Sequence, residues 1–370
     1  MSFPSDHGNN GQPLSIGELQ GMGLLSRAPG AMAFRSTASP RLPTLREAPS
    51  LEGLQVKMPA PRAITPEAII ERFDALCRAV APRREREPGE AVTPGDDVLL
   101  DVLGFANGRL LPFSARADWW TECTPDPLLP GFFESLVGAR VGEAVAVNLV
   151  LPDDYAVESL RGVPARFGVV LKAAREVTPL EEEDPRRFFA LGRGATLDEV
   201  MESIAGELVA ERDAQYLQDF QERVLKEVAR RTRVEVPRSL VDEEIRQRWS
   251  EAEYPVLVGL GLPPEQTREA VDGWLMDVPT RLEVEYRLRL ALGLRAIAER
   301  GRIQPEREEV EALFDGLAER LGMGREALGR LLQSDKALGR KFDTLATHVA
   351  VVSHVLSEAT VAPGIAQGAG

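Results

Sequence analysis

The sequence has few cysteines, few histidines and no pattern of metal ligands. Its two cysteines, Cys77 and Cys123, lie far apart along the chain. We therefore expect two reduced, buried thiols, because a disulfide would be unusual in a reducing compartment. Two of the three histidines, His348 and His354, are six residues apart and do not share a helical face. No cysteine or aspartate pattern completes a metal site with them, so we predict neither a metal nor a cofactor.

Long apolar runs and a leader segment are also missing. No run of about 18 apolar residues occurs, so we predict no transmembrane helix. Residues 1–6 contain neither a basic nor an apolar region, which predicts no signal peptide, a cytoplasmic location and no membrane partner. A Ser–His–Asp arrangement and a glycine-rich phosphate loop are likewise not recognisable, and we predict neither kind of site.

Positive charge is in deficit. The chain has 44 Lys and Arg residues against 58 Asp and Glu residues, a net charge of −14. Because nucleic-acid binding needs a basic surface, this balance argues against a specific nucleic-acid partner. It suits a soluble protein that must not precipitate. Hydrophobic residues make up 44% and charged residues 28%, as in soluble globular proteins, and 370 residues leave room for two or three domains.

The sequence patterns predict a tail followed by a β-rich region. Residues 1–50 are rich in Pro, Gly and Ser, which predicts a disordered tail. Thr65 and Pro66 are typical of a helix start, and apolar residues at helical spacing follow them. Asn107-Gly108 predicts a tight turn within the β-rich region. The other elements predicted there are strands over 98–103, 144–151 and 165–171, and a short helical segment over 133–138.

The pattern changes to helices after Pro179. Thr196 and Glu199 form a capping box, and a long helix is predicted from Leu197 to about Arg231. Residues 251–272 read as an interruption, because they contain three prolines and two glycines. Further helices are predicted over 239–249, 274–300, 305–321, 325–332 and 334–359.

Five short motifs follow one another in the β-rich region: Pro130-Gly131-Phe132, Val141-Gly142-Glu143, Pro152-Asp153-Asp154-Tyr155, Leu160-Arg161-Gly162 and Ala165-Arg166-Phe167. Their order and spacing resemble the FKBP-type prolyl isomerase domain. Within that group they look most like the isomerase domain of the trigger factor family of ribosome-associated bacterial chaperones. The resemblance covers roughly residues 51–361 and is stronger in the isomerase part.

The resemblance implies an α+β multidomain fold. A small FKBP-like antiparallel β-sheet domain with one short helix is followed by an all-α, trigger-factor-like C-terminal domain. The implied domains are a linker strand and helix over 51–92, an isomerase-like domain over 93–177, a helical chaperone domain over 178–361 and a tail over 362–370. In this family helical arms form a cradle for unfolded chains. We expect exposed apolar side chains in that cradle, including Trp249, Tyr254 and Leu257.

The chemistry of such a site needs no nucleophile. Rotation about an X–Pro bond crosses a barrier of about 18–20 kcal/mol that is set by amide resonance. An apolar pocket can favour the twisted amide, and a hydrogen-bond donor can hold its carbonyl. By resemblance, the catalytic residues are Tyr155, which supplies that donor, with Phe132, Leu129 and Phe167. The implied substrate-binding residues are Trp119, Leu128, Val102 and Leu111.

Two departures weaken the implied pocket. Val102 stands where Tyr or Phe is usual, and Leu111-Pro112 stands where Phe is followed by an acidic residue. The implied function is a trigger-factor-like chaperone that binds unfolded or nascent polypeptides and catalyses cis–trans isomerisation of X–Pro bonds, with weakened or lost turnover. The alternative is a non-catalytic holdase with a degenerate isomerase domain. A periplasmic isomerase-type chaperone is disfavoured, because no signal peptide is predicted.

The family normally begins with a ribosome-docking domain that bears a Gly-Phe-Arg loop. Ala33-Phe34-Arg35-Ser36 is only faintly similar to that loop, since the glycine and the surrounding domain are not recognisable. We therefore expect poor ribosome binding or none.

Overall fold

The chain divides into two units in the computed structural model, which describes residues 43, 45, 47–126, 129–155, 160–180 and 191–362. Unit 1 contains the described residues of Ile64–Glu207 and Asp242–Arg281. Unit 2 contains those of Phe3–Ala63, Leu208–Val241 and Leu282–Gly370. The predicted tails lie almost wholly outside the described residues, as do Ala33–Ser36 and the site candidate Leu128.

Apart from one helix near the start and one short strand at the end, the described strands come first and the helices follow. The strands are β1 (Gln55–Val56), β2 (Arg83–Glu85), β3 (Asp97–Ala106), β4 (Arg109–Leu110), β5 (Arg116–Glu122), β6 (Ala144–Val150), β7 (Pro164–Val177) and β8 (Thr360–Val361). The helices are α1 (Pro66–Val80), α2 (Leu197–Arg231), α3 (Arg238–Ala252), α4 (Tyr254–Gly259), α5 (Pro264–Met276), α6 (Val278–Gly301), α7 (Arg307–Arg320), α8 (Arg325–Ser334) and α9 (Lys336–Ser357).

Strands β2 to β7 form one antiparallel sheet in unit 1. Its order is β2-β7-β3-β4, with β5 also paired to β3 and β6 also paired to β7. Buried and more exposed residues alternate along β3 and along most of β7, so one face of the sheet carries the core. A 3-10 turn, Glu134–Leu136, places Leu136 in the same core. This small antiparallel sheet with one short helical turn, followed by helices, confirms the predicted α+β fold class.

The tight turn predicted at Asn107-Gly108 is present. Both residues have positive φ angles, 51° and 75°. Asn and Gly adopt this conformation more readily than other residues, and it suits a two-residue hairpin. Strands β3 and β4 pair across the turn, with Ala106 opposite Arg109.

In the charge run Arg83–Glu87 every residue except Arg86 is exposed, and the first three residues form strand β2 along β7. Opposite charges face each other there. Arg84 contacts Glu176 at 2.7 Å, and Arg175 contacts Glu85 at 2.6 Å. Such cross-strand pairs favour pairing of an edge strand whose side chains are polar.

The long helix α2 has the predicted bounds. The Thr196 side chain accepts a hydrogen bond from the Glu199 backbone at 3.3 Å, which caps its first turn. The predicted interruption over 251–272 is wrong, because α4 and most of α5 lie inside it. Pro255 and Pro264 lie in the first turns of these helices. The backbone N–H groups of a first turn have no acceptor within the helix, so the N–H that proline lacks is not missed there, and the fixed φ of proline suits the helix.

The expectation of exposed apolar side chains around α4 is also wrong in part. Leu257 is fully buried, and Trp249 is only 9% exposed. Trp249 packs on Tyr254 with ring centroids 5.2 Å apart. Tyr254 and Val258, four residues apart on α4, are exposed. The apolar residues of α4 are therefore divided between a buried and an exposed face.

Unit 2 has its own core, formed by apolar side chains of α2, α6 and α9 together with the segment around β1. Strand β1 pairs in parallel with β8. The Arg231 guanidinium donates to the backbone carbonyls of Ser50, Glu52 and Gly53, each at 2.9 Å. These bonds fix the chain before β1 to the end of α2. Within the described ranges, no helix is long and apolar enough to cross a membrane.

Candidate functional site

The predicted site residues meet in the core of the unit 1 sheet. Seven of the eight lie in the described part of the chain, and all seven belong to one apolar cluster. The buried members are Val102, Leu111, Phe132 and Phe167; the partly buried members packed against them are Trp119, Leu129 and Tyr155. These seven residues therefore lie together in the structure, while their roles stay a prediction.

Phe167 is held on the sheet by a glycine on the neighbouring strand. Gly104 of β3 lies directly opposite Phe167 of β7. A Cβ atom on Gly104 would lie 2.6 Å from Phe167 Cε1 and 3.0 Å from Leu111 Cδ1. The absence of a side chain at Gly104 thus leaves the space in which the Phe167 ring lies against the sheet.

Three further aromatic rings continue from Phe167 across the cluster. Phe132 meets Phe167 edge to face with centroids 5.5 Å apart, and it meets Phe133 in the same way at 5.1 Å. Phe133 in turn lies 6.1 Å from Trp119. Gly131, with a φ of 86°, turns the chain so that both phenylalanines enter the core. These ring contacts fix an apolar, aromatic floor.

Tyr155 supplies a hydroxyl at this floor. Its backbone N–H donates to the Pro152 carbonyl at 3.0 Å, and Arg161 donates to its carbonyl at 2.8 Å, so its turn is fixed from both sides. Burial raises the pKa of the Tyr155 hydroxyl, and the Arg116 charge lowers it in part. The phenol is therefore protonated at neutral pH and can donate a hydrogen bond. Within the described residues this hydroxyl has no hydrogen-bond partner.

The loop over 111–116 forms one side of the site. Leu111 donates its backbone N–H to the Gly104 carbonyl at 2.8 Å, and the Ser114 hydroxyl donates to the Leu111 carbonyl at 2.8 Å. Arg116 donates to the carbonyls of Phe113 and Ala115 at 3.0 and 2.9 Å. The loop is thus closed by its own side chains and carries one cation near Tyr155.

Three residues that contribute to this site were not predicted from the sequence. Gly104 interrupts an apolar strand, and an isolated glycine there is a signal of close approach that was available. Arg116 and Glu253 gave no sequence signal, since both act through tertiary contacts. Glu253 is buried at the start of α4 and accepts hydrogen bonds from the site's loop and from α5.

The groups in this cluster decide which chemistry it can perform: metal ligands, a reactive thiol or a hydrogen-bond donor. The described residues hold no group of His, Cys, Asp and Glu that could bind a metal ion. The nearby Cys123 thiol is buried, and burial raises its pKa to about 11, so it is not a nucleophile. An aromatic floor beside a phenol that has no hydrogen-bond partner in the described part of the chain is suited to an apolar segment and to a carbonyl acceptor.

Comparison with known proteins finds similarity to trigger factors. Residues 196–356 match the family model of the bacterial trigger factor C-terminus. The chain is 30% identical over 266 residues to the trigger factor of Listeria welshimeri, which covers 68% of this chain and 60% of that protein. It is 28% identical over 301 residues to the trigger factor of Magnetococcus marinus, which covers 80% of this chain and 66% of that protein.

The chain spans about 60% of the length of the curated relatives from Listeria that it matches. A solved structure described as "Promiscuous Substrate Recognition in Folding and Assembly Activities of the Trigger Factor Chaperone" is also similar, with a TM-score of 0.35 and 14% identity over 86% of this chain and 73% of that chain.

Proposed function

We propose that the chain is a chaperone of the trigger factor type that binds unfolded polypeptides and catalyses cis–trans isomerisation of X–Pro bonds, which the family-model match over residues 196–356 and the trigger factor relatives support. The observation that carries the catalytic part is that Tyr155, whose hydroxyl has no hydrogen-bond partner among the described residues, packs against the cluster of aromatic rings. A proline side chain would lie on Phe132 and Phe167. The carbonyl before the proline would accept the hydrogen bond of Tyr155.

In the proposed mechanism the site accelerates rotation because its apolar pocket excludes water from the amide and because Tyr155 donates a hydrogen bond. The planar amide owes its stability to charge separation, which water supports, so an apolar pocket favours the twisted amide. The barrier of about 18–20 kcal/mol leaves uncatalysed exchange at tens to hundreds of seconds. A hydrogen bond that is stronger in the twisted state lowers this barrier, since only such differential binding speeds the step.

Turnover is expected to be weak. Val102 and Leu111 are both buried in the floor and both are aliphatic. They place less polarisable surface around the proline than aromatic rings would, so the pocket should hold the twisted amide less well. Binding of an apolar, proline-containing segment should persist, because its walls are intact.

The chaperone activity is proposed to use exposed apolar side chains of unit 1. Tyr254, Val258, Met276 and Val278 are all exposed, and they lie on α4 and at the junction of α5 and α6. Exposed apolar surface in a soluble protein commonly marks a binding site for other chains. We propose unfolded or nascent polypeptides in the cytoplasm as the partners. Poor ribosome binding stays a prediction.

The competing function is a holdase without catalysis, which the aliphatic Val102 and Leu111 favour. Two assays on the full-length chain separate the functions: refolding of a client whose slow phase is proline isomerisation, and suppression of aggregation of an unfolded client. The proposed function predicts activity in both assays. Suppression of aggregation with an unchanged slow refolding phase would refute the isomerase and leave the holdase.

The exposed apolar residues of α4 and α5 are tested in the aggregation assay. Val258→Asp with Met276→Asp should reduce the suppression, because charge on the exposed surface disfavours apolar clients. Val150→Asp, on an exposed position of β6, is the matched control and should act like wild type. An equal loss of suppression in both variants would mean that the exposed surface of α4 and α5 is not the client site.

A further inference from the structure

A segment of the helical region lies directly on the loop that borders the proposed isomerase site. The Phe113 backbone N–H donates to Glu253 Oε1 at 3.0 Å. The Trp274 indole N–H donates to Glu253 Oε2 at 2.7 Å. The Phe113 and Trp274 rings also touch, with centroids 4.2 Å apart and planes inclined by 47°. One buried carboxylate therefore ties the loop to α5 through both of its oxygens.

The same contact continues at the neighbouring residues. A Cβ atom on Gly273 would lie 3.1 Å from Pro112 Cγ, so α5 and the loop approach each other as closely as a glycine allows. Phe113 has a φ of 64°, a left-handed conformation that is unusual for a residue with a large side chain. Such a conformation persists where surrounding contacts hold it, and here Glu253 and Trp274 are those contacts.

The loop is continuous with the site. Leu111, two residues before Phe113, is buried in the floor beside Phe167. Arg116, three residues after it, donates to the Phe113 carbonyl, and its charge acts on both Tyr155 and Glu253. A movement of Phe113 would therefore displace Leu111, which packs in the aromatic floor, and the Arg116 guanidinium, whose charge acts on Tyr155.

We propose that Glu253 is a positioning residue for the isomerase site: from the helical region it fixes the 111–116 loop, so that the site is complete only when α4 and α5 are docked on the sheet. This inference rests on the proposed function. It assigns the docked helices a role in forming the site, beyond any binding of clients at their exposed surface.

A carboxylate is suited to this role. Its two oxygens accept from two N–H donors, the half-buried backbone of Phe113 and the buried indole of Trp274, and a buried donor left unpaired is costly. Burial raises the pKa of Glu253, an effect that the Trp274 and Phe113 bonds, Trp249 and the Arg116 charge oppose. Glutamine keeps the size but places an acceptor oxygen at only one of the two positions, while its NH2 group would face the other donor. Alanine satisfies neither donor.

The experiment compares the full-length wild type with Glu253→Ala, Glu253→Gln, Trp274→Phe and Glu269→Ala. Glu269 is an exposed carboxylate on α5 and serves as the matched control. Trp274→Phe keeps an aromatic ring on Phe113 and removes one donor, so it tests the contact if Glu253→Ala does not fold. The measurements are kcat/KM on a proline tetrapeptide and hydrogen exchange of the Phe113 amide.

We expect Glu253→Ala to lose about tenfold in kcat/KM, which corresponds to about 1.4 kcal/mol of lost hydrogen bonding. Exchange at Phe113 should become faster in the same variant. Glu253→Gln should restore part of both properties, and Trp274→Phe should show a smaller loss. Glu269→Ala should match wild type. Partial rescue by glutamine distinguishes positioning from general loss of stability.

Wild-type kcat/KM and wild-type exchange at Phe113 in Glu253→Ala would overturn the inference while leaving the proposed function standing. Equal losses in Glu253→Ala and Glu269→Ala would also overturn it, because the effect would not belong to the contact. An inactive wild type would refute the proposed function, and the inference would fall with it.

Discussion

Replacement of Gly104 by alanine tests the packing that holds the aromatic floor. The new Cβ would lie 2.6 Å from Cε1 and 2.8 Å from Cδ1 of Phe167. Carbon atoms in contact prefer about 3.5–4.0 Å, so the ring would have to move by roughly 1 Å. It has little room to do so, because Phe132 lies edge-on at 5.5 Å between centroids. Overpacking of this kind costs about 1–3 kcal/mol.

The chain offers a matched control on the neighbouring strand. A Cβ on Gly168 would meet only the Leu103 carbonyl, at 4.0 Å. Gly168→Ala should therefore be neutral or should stabilise by about 0.4–1 kcal/mol, since alanine reduces the freedom of the unfolded chain. The Gly104→Ala, Phe167→Leu double variant has more space at the clash and should be less destabilised than the sum of the single changes.

Urea unfolding followed by tryptophan fluorescence is the assay. The chain has four tryptophans, Trp119, Trp120, Trp249 and Trp274, and all lie in unit 1, so their emission reports that unit alone. Gly104→Ala should lower the unfolding midpoint and Gly168→Ala should not. Equal midpoints in the two variants, or fully additive effects in the double variant, would refute the proposed packing.

Three further predictions concern stability and reactivity. Burial lowers the pKa of His348 to about 4, so the unfolding free energy of unit 2 should fall by up to about 1.4 kcal/mol per pH unit as the pH drops from 6.5 towards that value. His348→Leu should remove this acid sensitivity, as far-UV circular dichroism would measure. An unchanged pH dependence in that variant would contradict the prediction. Arg86 binds Asp96 at 2.5 Å with both side chains nearly buried, so Arg86→Met should cost about 3–5 kcal/mol by leaving an unpaired carboxylate, as urea unfolding would measure; a loss of less than about 1 kcal/mol, as for a surface ion pair, would be the contrary result. Cys123 should resist a thiol reagent at pH 8 until the protein is unfolded, because its pKa is raised to about 11; rapid labelling of the native protein would be inconsistent with its burial.

Local signals predicted much of the fold. The Asn107-Gly108 turn and the Thr196 cap rest on backbone preferences of single residues, and both elements begin or turn where expected. The prolines at 255 and 264 were misinterpreted, because a proline is equally compatible with a break and with a first helical turn. The choice is made by packing: Leu257, between them, is buried.

The composition of the site could be predicted better than its construction. The resemblance identified Phe132, Phe167 and Tyr155, and the structure brings them into one cluster. The ring of Phe167 depends on Gly104, which is 63 positions away in the chain and becomes its neighbour only through strand register. Glu253 lies 140 positions from Phe113 and reaches it through the docking of helices. Contacts at such separations leave no periodic pattern in one sequence.

We propose that this site catalyses proline isomerisation through the Tyr155 hydroxyl. The most direct measurement is the rate of cis–trans exchange of a proline tetrapeptide with the wild type and with Tyr155→Phe. We predict measurable catalysis by the wild type. One lost hydrogen bond of about 0.5–1.5 kcal/mol should reduce the rate about two- to tenfold, with the melting temperature nearly unchanged. No catalysis by the wild type, or equal rates for the two proteins, would contradict the claim.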